Sequence, residues 1–407
     1  IWLMMHASMP LGYWFGGGEE SNLDRVVLIL LLCLGIVMLV KRRFNWYNAF
    51  RANIWLTLLI CFIGLSILWS DTPLNKSFKD WTRELLAVVM AFLIASEVDP
   101  RIGLQSVMRR FIYILIPLSF LIVIFFPEHN LIRSTGEVTW GGVAGGKNGL
   151  GRICFISVFF LVWSLVRRWQ SKGMQIISYQ NFVEVVIIAM TLFLMKGPGT
   201  VTALSITSIL MLAVGLGTFF GLLWMKKMNR NIGAKALKLM IAVCIVIGTA
   251  SVFIGGLVFG SSVATAFGRD ETLTGRNEIW ARYIPHVMKE PIVGYGITGA
   301  EAAQEFFILG PHNGYLAVLV DYGFTGLLLF SMFLLFSGGK AHKELSCDYY
   351  WGSFWICFLA MTLFYNIAEQ SLDSLQNNLT GVLVFLSVIP RQVSPCVSIK
   401  TESLEGP

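Results

Sequence analysis

The chain has 407 residues, of which 56% are hydrophobic and 14% are Asp, Glu, Lys or Arg, with a mean hydropathy of +0.69 and a net charge of +7. Soluble domains carry about a quarter charged residues, so this composition excludes a soluble protein and indicates an integral membrane protein. In a membrane protein a basic balance reflects cytoplasmic loops, so nucleic acid is not a predicted partner.

The apolar runs predict an all-α fold, a polytopic bundle of about 11–12 transmembrane helices, because a helical span needs about 20 residues. Residues 1–15 have the composition of part of a twelfth span. In chain order, the predicted spans are 24–40, 52–69, 84–96, 111–126, 149–166, 182–195, 200–225, 239–260, 313–337, 351–365 and 377–390.

The connections between these spans alternate in charge. Every odd-numbered connection is rich in Lys and Arg, beginning with Lys41-Arg42-Arg43, whereas the even-numbered ones are mixed in sign. Positive charge marks the cytoplasmic side, so the even connections are predicted to face outwards. This predicts a helical bundle over 1–260, a periplasmic loop with short amphipathic helices over 261–312, C-terminal helices over 313–390 and a cytoplasmic tail over 391–407.

The long polar loop is the predicted functional region. His312 lies at its end, in Pro311-His312-Asn313-Gly314-Tyr315. Histidine titrates near neutral pH and is a candidate general base there. The alternative is an interfacial histidine that bonds a carbonyl group. Asn313 is a candidate N-cap of the next helix, and with Tyr315 a candidate contact to a sugar acceptor.

A predicted surface helix in the same loop carries two arginines. Arg276 and Arg282 flank Trp280 in TGRNEIWARY, and guanidinium groups suit a phosphate or diphosphate. The alternative is that these arginines reach lipid headgroups at the rim. Trp280 is a candidate for stacking on a sugar, or else a residue of the aromatic belt at the membrane interface.

Two lysines lie among glycines in other outer connections. Lys147 is in GGKNGLG and Lys196 is in KGPG. Exposed backbone N–H groups and helix N-termini favour anions, so both lysines are candidates for diphosphate binding. The sequence has no HExxH motif, no outer Cys/His cluster and no disulfide framework among its seven cysteines, so we predict neither a metal nor a cofactor.

These motifs resemble a known family. TGRNEIW, EPIVGYG and HNGYLAVLVDYGFTGL resemble the bacterial O-antigen ligase and polysaccharide polymerase superfamily, and GGKNGLG is closest to its exopolysaccharide polymerase branch. The resemblance implies an enzyme of the bacterial inner membrane with a periplasmic active site. In the matching positions, His312 is the essential histidine and Arg276 is the loop arginine that handles the diphosphate. Lys196 takes the place of a basic residue in a mid-chain turn.

The resemblance also implies the partners. The donor is an oligosaccharide linked to undecaprenyl diphosphate, the acceptor is a glycan hydroxyl, membrane lipids surround the protein, and polysaccharide chain-length and export proteins are further candidates. We therefore predict a metal-independent polysaccharide polymerase. The motifs leave an O-antigen ligase and a protein O-oligosaccharyltransferase open, because these differ in acceptor. Transport of a lipid-linked glycan, or a receptor or scaffold role, are the alternatives of other classes.

Overall fold

The computed structural model describes residues 1–15, 22–126, 131–134, 137–172, 179–197, 205–254, 276–298 and 310–389. The tail 391–407 and most of the loop 261–312 lie outside these ranges. The described helices are α1 Trp2–Met5, α2 Leu11–Trp14, α3 Asn22–Lys41, α4 Trp46–Ala52, α5 Ile54–Leu65, α6 Leu74–Ala95, α7 Pro100–Phe125, α8 Lys147–Lys172, α9 Tyr179–Lys196, α10 Ile206–Lys227, α11 Ala234–Ile254, α12 Arg276–Lys289, α13 Gly314–Leu345, α14 Tyr349–Ala368 and α15 Asn378–Val388.

The all-α polytopic fold is confirmed. Among the described residues, eight helices are long and apolar enough to cross a membrane: α3, α7, α8, α9, α10, α11, α13 and α14. A ninth is formed if α4 is counted with the segment Ile54–Trp69, to which it is bent by 96°. The one described sheet is a hairpin of β1 Leu131–Ser134 and β2 Glu137–Trp140.

Helix α6 extends well beyond the predicted span 84–96. It begins at Leu74. Its first three turns carry several charged residues, so the hydropathy of these turns is too low for them to be predicted as part of a span. Its 22 residues give a length of about 33 Å at 1.5 Å per residue, enough to cross the hydrocarbon core of a bilayer. The last predicted span, 377–390, is shorter in the structure, where α15 has 11 residues.

The basic connections meet at one end of the bundle, which we call the basic end. Arg42, after α3, bonds Glu97, after α6, at 2.9 Å. Arg101, at the start of α7, bonds Glu344, at the end of α13, at 2.6 Å. These pairs join the first, third and ninth connections, as the alternation of charge predicts.

The even connections meet at the opposite end, which we call the His312 end. Ser70, after α5, donates a hydrogen bond to the carbonyl of Ile297 at 2.9 Å. Asn148, at the start of α8, donates to the Glu369 carboxylate beyond α14 at 2.8 Å. Which end faces the periplasm stays a prediction.

Helix α13 is broken at Gly323, and the EPIVGYG segment fills the break. Gly323 has φ +60° and ψ −164°, which interrupts the helical hydrogen bonds. The carbonyl of Pro291 accepts from the Phe324 N–H at 2.8 Å, and the Tyr295 N–H donates to Val320 at 3.0 Å. Backbone groups that lose their helical partners inside a membrane protein need other partners. The EPIVGYG segment provides them, so this segment and the first half of α13 form one structural unit.

Candidate functional site

His312 lies in the turn before α13, with its backbone at φ +46°. Residues with a Cβ rarely adopt this left-handed conformation, so the surrounding contacts must hold it. Asn313 provides two of these contacts. Its Oδ1 accepts from the Leu316 N–H at 2.9 Å as an N-cap, and its Nδ2 donates to the Ile367 carbonyl at 3.0 Å. The predicted capping role of Asn313 is therefore present in the structure.

A buried carboxylate holds the imidazole of His312. Nδ1 of His312 lies 3.2 Å from Oε2 of Glu369. The other carboxylate oxygen, Oε1, accepts from Nδ2 of Asn148 at 2.8 Å. The Gly314 N–H donates to the backbone carbonyl of Glu369 at 3.0 Å. We call Asn148, Glu369 and His312 the clamp, because each member fixes the next.

Among the described residues, the clamp gives the His312 ring a partner at Nδ1 and none at Nε2. The side chain of His312 is 32% exposed, whereas that of Glu369 is 7% exposed. In the neutral tautomer whose Nδ1–H donates a hydrogen bond to the Glu369 carboxylate, Nε2 carries no proton. This tautomer is assigned from the hydrogen bond. A carboxylate that fixes the tautomer and orientation of an imidazole is the arrangement used in general-base catalysis.

Helix α12 packs against the first turns of α13. Its apolar residues Trp280, Tyr283 and Val287 follow helical spacing and are buried against a group that includes Leu316 and Val320. The helix therefore has an inner face towards α13 and an outer face towards the surroundings. This is the amphipathic helix that the sequence predicts, and its packing places it beside the His312 turn.

The indole of Trp280 reaches the residue before His312. Its Nε1–H donates to the Pro311 carbonyl at 2.9 Å. Buried indoles need such an acceptor, and here it is supplied by the backbone of the turn that carries His312. Trp280 thus connects α12 to the turn and helps to hold His312 in its left-handed conformation.

The structure does not support sugar contact by Asn313, Tyr315 or Trp280. Asn313 and Tyr315 are completely buried, and Trp280 is 2% exposed. The hydroxyl of Tyr315 donates to the Leu363 carbonyl at 2.9 Å, across the α13–α14 interface. The polar groups of all three are therefore used to position the turn, and no surface remains for a sugar to stack on. Their role as acceptor contacts is corrected to a positioning role.

Lys147 lies next to the clamp. It is the first residue of α8 and directly precedes Asn148. It is half-buried and lines a small pocket with Trp140, Gly197 and Ser205. Its position at a helix N-terminus matches the predicted preference for an anion.

Lys196 has a different setting from the predicted one. It is exposed in the last turn of α9, where the final backbone carbonyl groups have no hydrogen-bond donor within the helix. Lys147 therefore lies at a helix N-terminus as predicted, whereas Lys196 lies at a helix C-terminus, which favours cations and does not bind anions. The neighbouring Gly197 lines the Lys147 pocket, so the end of α9 still approaches that lysine. Gly199 and Thr200 of the predicted turn lie outside the described residues.

The two predicted arginines occupy different parts of α12. Arg276 is its first residue, and its side chain lies outside what the structure describes. Arg282 is exposed, two positions from Trp280 and one from the buried Tyr283. About 100° separate successive helical residues, so Arg282 lies on the outer face, and the structure does not bring it to His312.

Sequence reasoning missed Glu369 and Asn148. Glu369 closes α14 in NIAEQ, a lone acid at the end of an apolar run, and that position was the available signal. Asn148 lies within GGKNGLG, where only Lys147 was predicted to be functional. Asn148 and Glu369 are 221 residues apart, so their contact cannot be predicted from the sequence.

The comparisons with known proteins agree with the motifs. Residues 192–331 match the family model described as O-antigen ligase. The chain is 25% identical over 303 residues to the exopolysaccharide production protein ExoQ of Rhizobium meliloti (strain 1021), an alignment that covers 70% of this chain. It covers 64% of the length of that relative. No solved structure gives a significant match.

The family match includes His312, Arg276, Arg282 and Lys196, whereas Asn148 and Glu369 lie outside it. The two matches together confirm the resemblance of this chain to the O-antigen ligase and exopolysaccharide polymerase superfamily.

Proposed function

We propose that this protein is a polysaccharide polymerase that transfers a glycan from an undecaprenyl-diphosphate-linked donor to a sugar hydroxyl, without a metal, at the periplasmic face of the bacterial inner membrane. The observation that carries the proposal is the clamp, in which His312 is held by Glu369 at 3.2 Å and keeps a partly exposed ring. The name of the relative, an exopolysaccharide production protein, supports a polymer as the product.

His312 acts on the acceptor. A sugar hydroxyl is a weak nucleophile and must lose its proton as it attacks the anomeric carbon of the donor. Nε2 of His312 takes that proton, and Glu369 stabilises the imidazolium that forms. The proton then leaves to solvent, which restores the neutral ring for the next transfer.

The basic residues act on the donor. The bond between the anomeric carbon and the phosphate oxygen breaks, and the diphosphate leaves with the electron pair. Cationic groups that neutralise this charge lower the barrier. Arg276 precedes Trp280 by one helical turn, and Trp280 bonds the residue before His312. We assign Arg276 as the principal diphosphate ligand and Lys147, beside Asn148, as the second.

The test uses the purified full-length protein in lipid. It is incubated with undecaprenyl-diphosphate-linked oligosaccharide without added metal, and the products are sized. A ladder that is lost in His312→Ala and Arg276→Ala supports the proposal. His342→Gln and Arg230→Ala are matched controls, because both residues lie at the basic end, and they should keep the ladder.

The acceptor decides among the related activities. Release of lipid diphosphate only when a lipid or protein acceptor is supplied would indicate a ligase or a protein O-oligosaccharyltransferase. Full activity of both site variants would refute the site. No turnover with any acceptor would favour transport of the lipid-linked glycan.

A further inference from the structure

A second cavity lies at the basic end, far from His312. It has a volume of about 650 Å³, within the range of about 300–1,000 Å³ for ligand pockets. Arg42, α4, the end of α6, the last turns of α13 and the end of α15 line it. Lys340 in its wall is 17 residues after the break of α13 at Gly323, so about 26 Å of unbroken helix lies between Lys340 and the break, and the His312 turn lies beyond that break. The cavity is therefore a separate site.

Lys340 is the central cation of this cavity. Its ammonium donates to Oδ1 of Asn53 at 2.7 Å and to the Ser387 carbonyl at 2.8 Å. Both partners are neutral, and the ammonium forms no ion pair within the described part of the chain. A cation held within a membrane helix usually has a counter-charge, and an ammonium has three donors. Lys340 thus has a charge and a donor for an anion in the cavity.

The other charges that line the cavity leave it cationic. Arg42 and the exposed Lys343 add two positive groups. Glu344 is the one acidic residue in the lining, and Arg101 neutralises it at 2.6 Å. Arg42 pairs with Glu97, which is not in the lining, and also donates to Ser96 and to the Leu93 carbonyl, so the net positive charge of the lining comes from Lys340 and Lys343.

Neutral groups complete the wall. Asn48 and Asn53 line the cavity, and their side-chain amide groups can donate to the oxygen atoms of an anion. Phe44, Phe92 and Trp355 add aromatic rings to the lining. A lining that combines cations and amides with aromatic rings fits an amphiphile better than a small inorganic ion.

We propose that this cavity binds a phosphate group, carried by an anionic lipid whose headgroup enters between α4 and α13. The positive-inside rule accounts for exposed cations at this end, such as Lys343. It does not explain why the half-buried Lys340 lines a cavity. Basic pockets between transmembrane helices are suited to phosphate headgroups. This site is independent of the proposed activity at His312.

The test measures lipid binding to the purified, delipidated full-length protein in a neutral detergent. The probes are dioctanoyl phosphatidylglycerol, dioctanoyl phosphatidylcholine and inorganic phosphate, each followed by native mass spectrometry and calorimetry. Lys340→Gln should weaken phosphatidylglycerol binding by about tenfold or more, since it removes a hydrogen bond to a charged group. Lys340→Arg should keep it. Lys235→Gln, an exposed lysine at the same end outside the lining, should change it by less than about twofold.

The probes also separate the sources of the phosphate. Tight phosphatidylglycerol binding with weak inorganic phosphate binding supports a lipid, and equal binding of both supports the phosphate site with a soluble ligand. Equal binding of phosphatidylcholine and phosphatidylglycerol would overturn the proposal, as would equal affinities of Lys340→Gln and Lys235→Gln. If Lys340→Gln does not fold, the exposed Lys343→Gln decides, with a smaller loss expected.

Discussion

Replacing Glu369 by glutamine is the sharpest perturbation of the clamp. The substitution keeps the size of the side chain and removes its charge. The amide oxygen can still accept from Asn148, as Oε1 does at 2.8 Å. The amide NH₂ then faces Nδ1 of His312, where the carboxylate oxygen lies at 3.2 Å in the wild type. The substitution therefore converts an acceptor into a donor at that nitrogen.

Two effects set the magnitude. Hydrogen bonds to charged groups contribute about 1.5–3 kcal/mol and neutral ones about 0.5–1.5 kcal/mol, so the weaker bond costs about 1 kcal/mol or slightly more. In addition, Nδ1 must accept from the amide, which moves the proton to Nε2 and removes the base. At about 1.4 kcal/mol for each tenfold change, we expect kcat to fall by about 10- to 100-fold.

The assay is the chain-length ladder with purified protein in lipid, measured as an initial rate at saturating donor. Glu290→Gln is the matched control, because Glu290 is an exposed glutamate beyond α12 and should leave the rate unchanged. The double variant His312→Ala/Glu369→Gln should be no slower than His312→Ala alone, because Glu369 acts through His312.

Two results would contradict the role of Glu369 in supporting His312. A Glu369→Gln rate within about twofold of the wild type would show that the carboxylate does not support the histidine. A further loss in the double variant, as large as in the single one, would show that Glu369 acts on the substrate directly or holds the fold by another route.

Three further predictions test the surroundings of the clamp. Gly314→Ala should lower the melting temperature by several degrees, because its Cβ would lie 1.8 Å from Oδ1 of Asn366, whereas Gly217→Ala meets nothing within 4 Å and should be neutral. Trp280→Phe keeps an aromatic ring of smaller size and removes the donor to Pro311, so the rate should fall by about tenfold while the melting temperature falls by only a few degrees. Excess EDTA should leave the ladder unchanged, and its loss on chelation, with recovery on adding a divalent metal, would contradict metal-independent transfer.

The sequence predicted the bundle well because hydropathy and charge report on lipid directly. Long apolar runs and alternating basic connections are local properties, and the helices follow them. Helix α6 was predicted only in part, because its first half carries charged residues. Some of these form ion pairs within the protein, such as Arg83 with Asp80 at 3.1 Å. A hydropathy window cannot distinguish such a segment from a loop.

The candidate site was predicted in part for a similar reason. His312, Asn313 and the amphipathic helix α12 lie within one stretch of sequence, where spacing and residue type give their positions. Glu369 and Asn148 join that stretch only through tertiary packing. A sequence pattern also assigns no burial to single residues, so Trp280 was a candidate for sugar contact although it is buried against α13.

The clamp links the part of the chain that resembles the family to parts that the family model does not match. His312 lies within residues 192–331, and its supporting residues come from α8 and from the end of α14. The carboxylate that holds His312 therefore depends on how α14 ends, outside the residues that match the family model. Exchanging the segment 367–371 for one without an acid, with His312 and Arg276 retained, should then lower the rate of transfer at least as much as Glu369→Gln does and leave insertion intact. If that chimaera keeps the wild-type rate, His312 needs no carboxylate, and the proton must be taken by the ring without support.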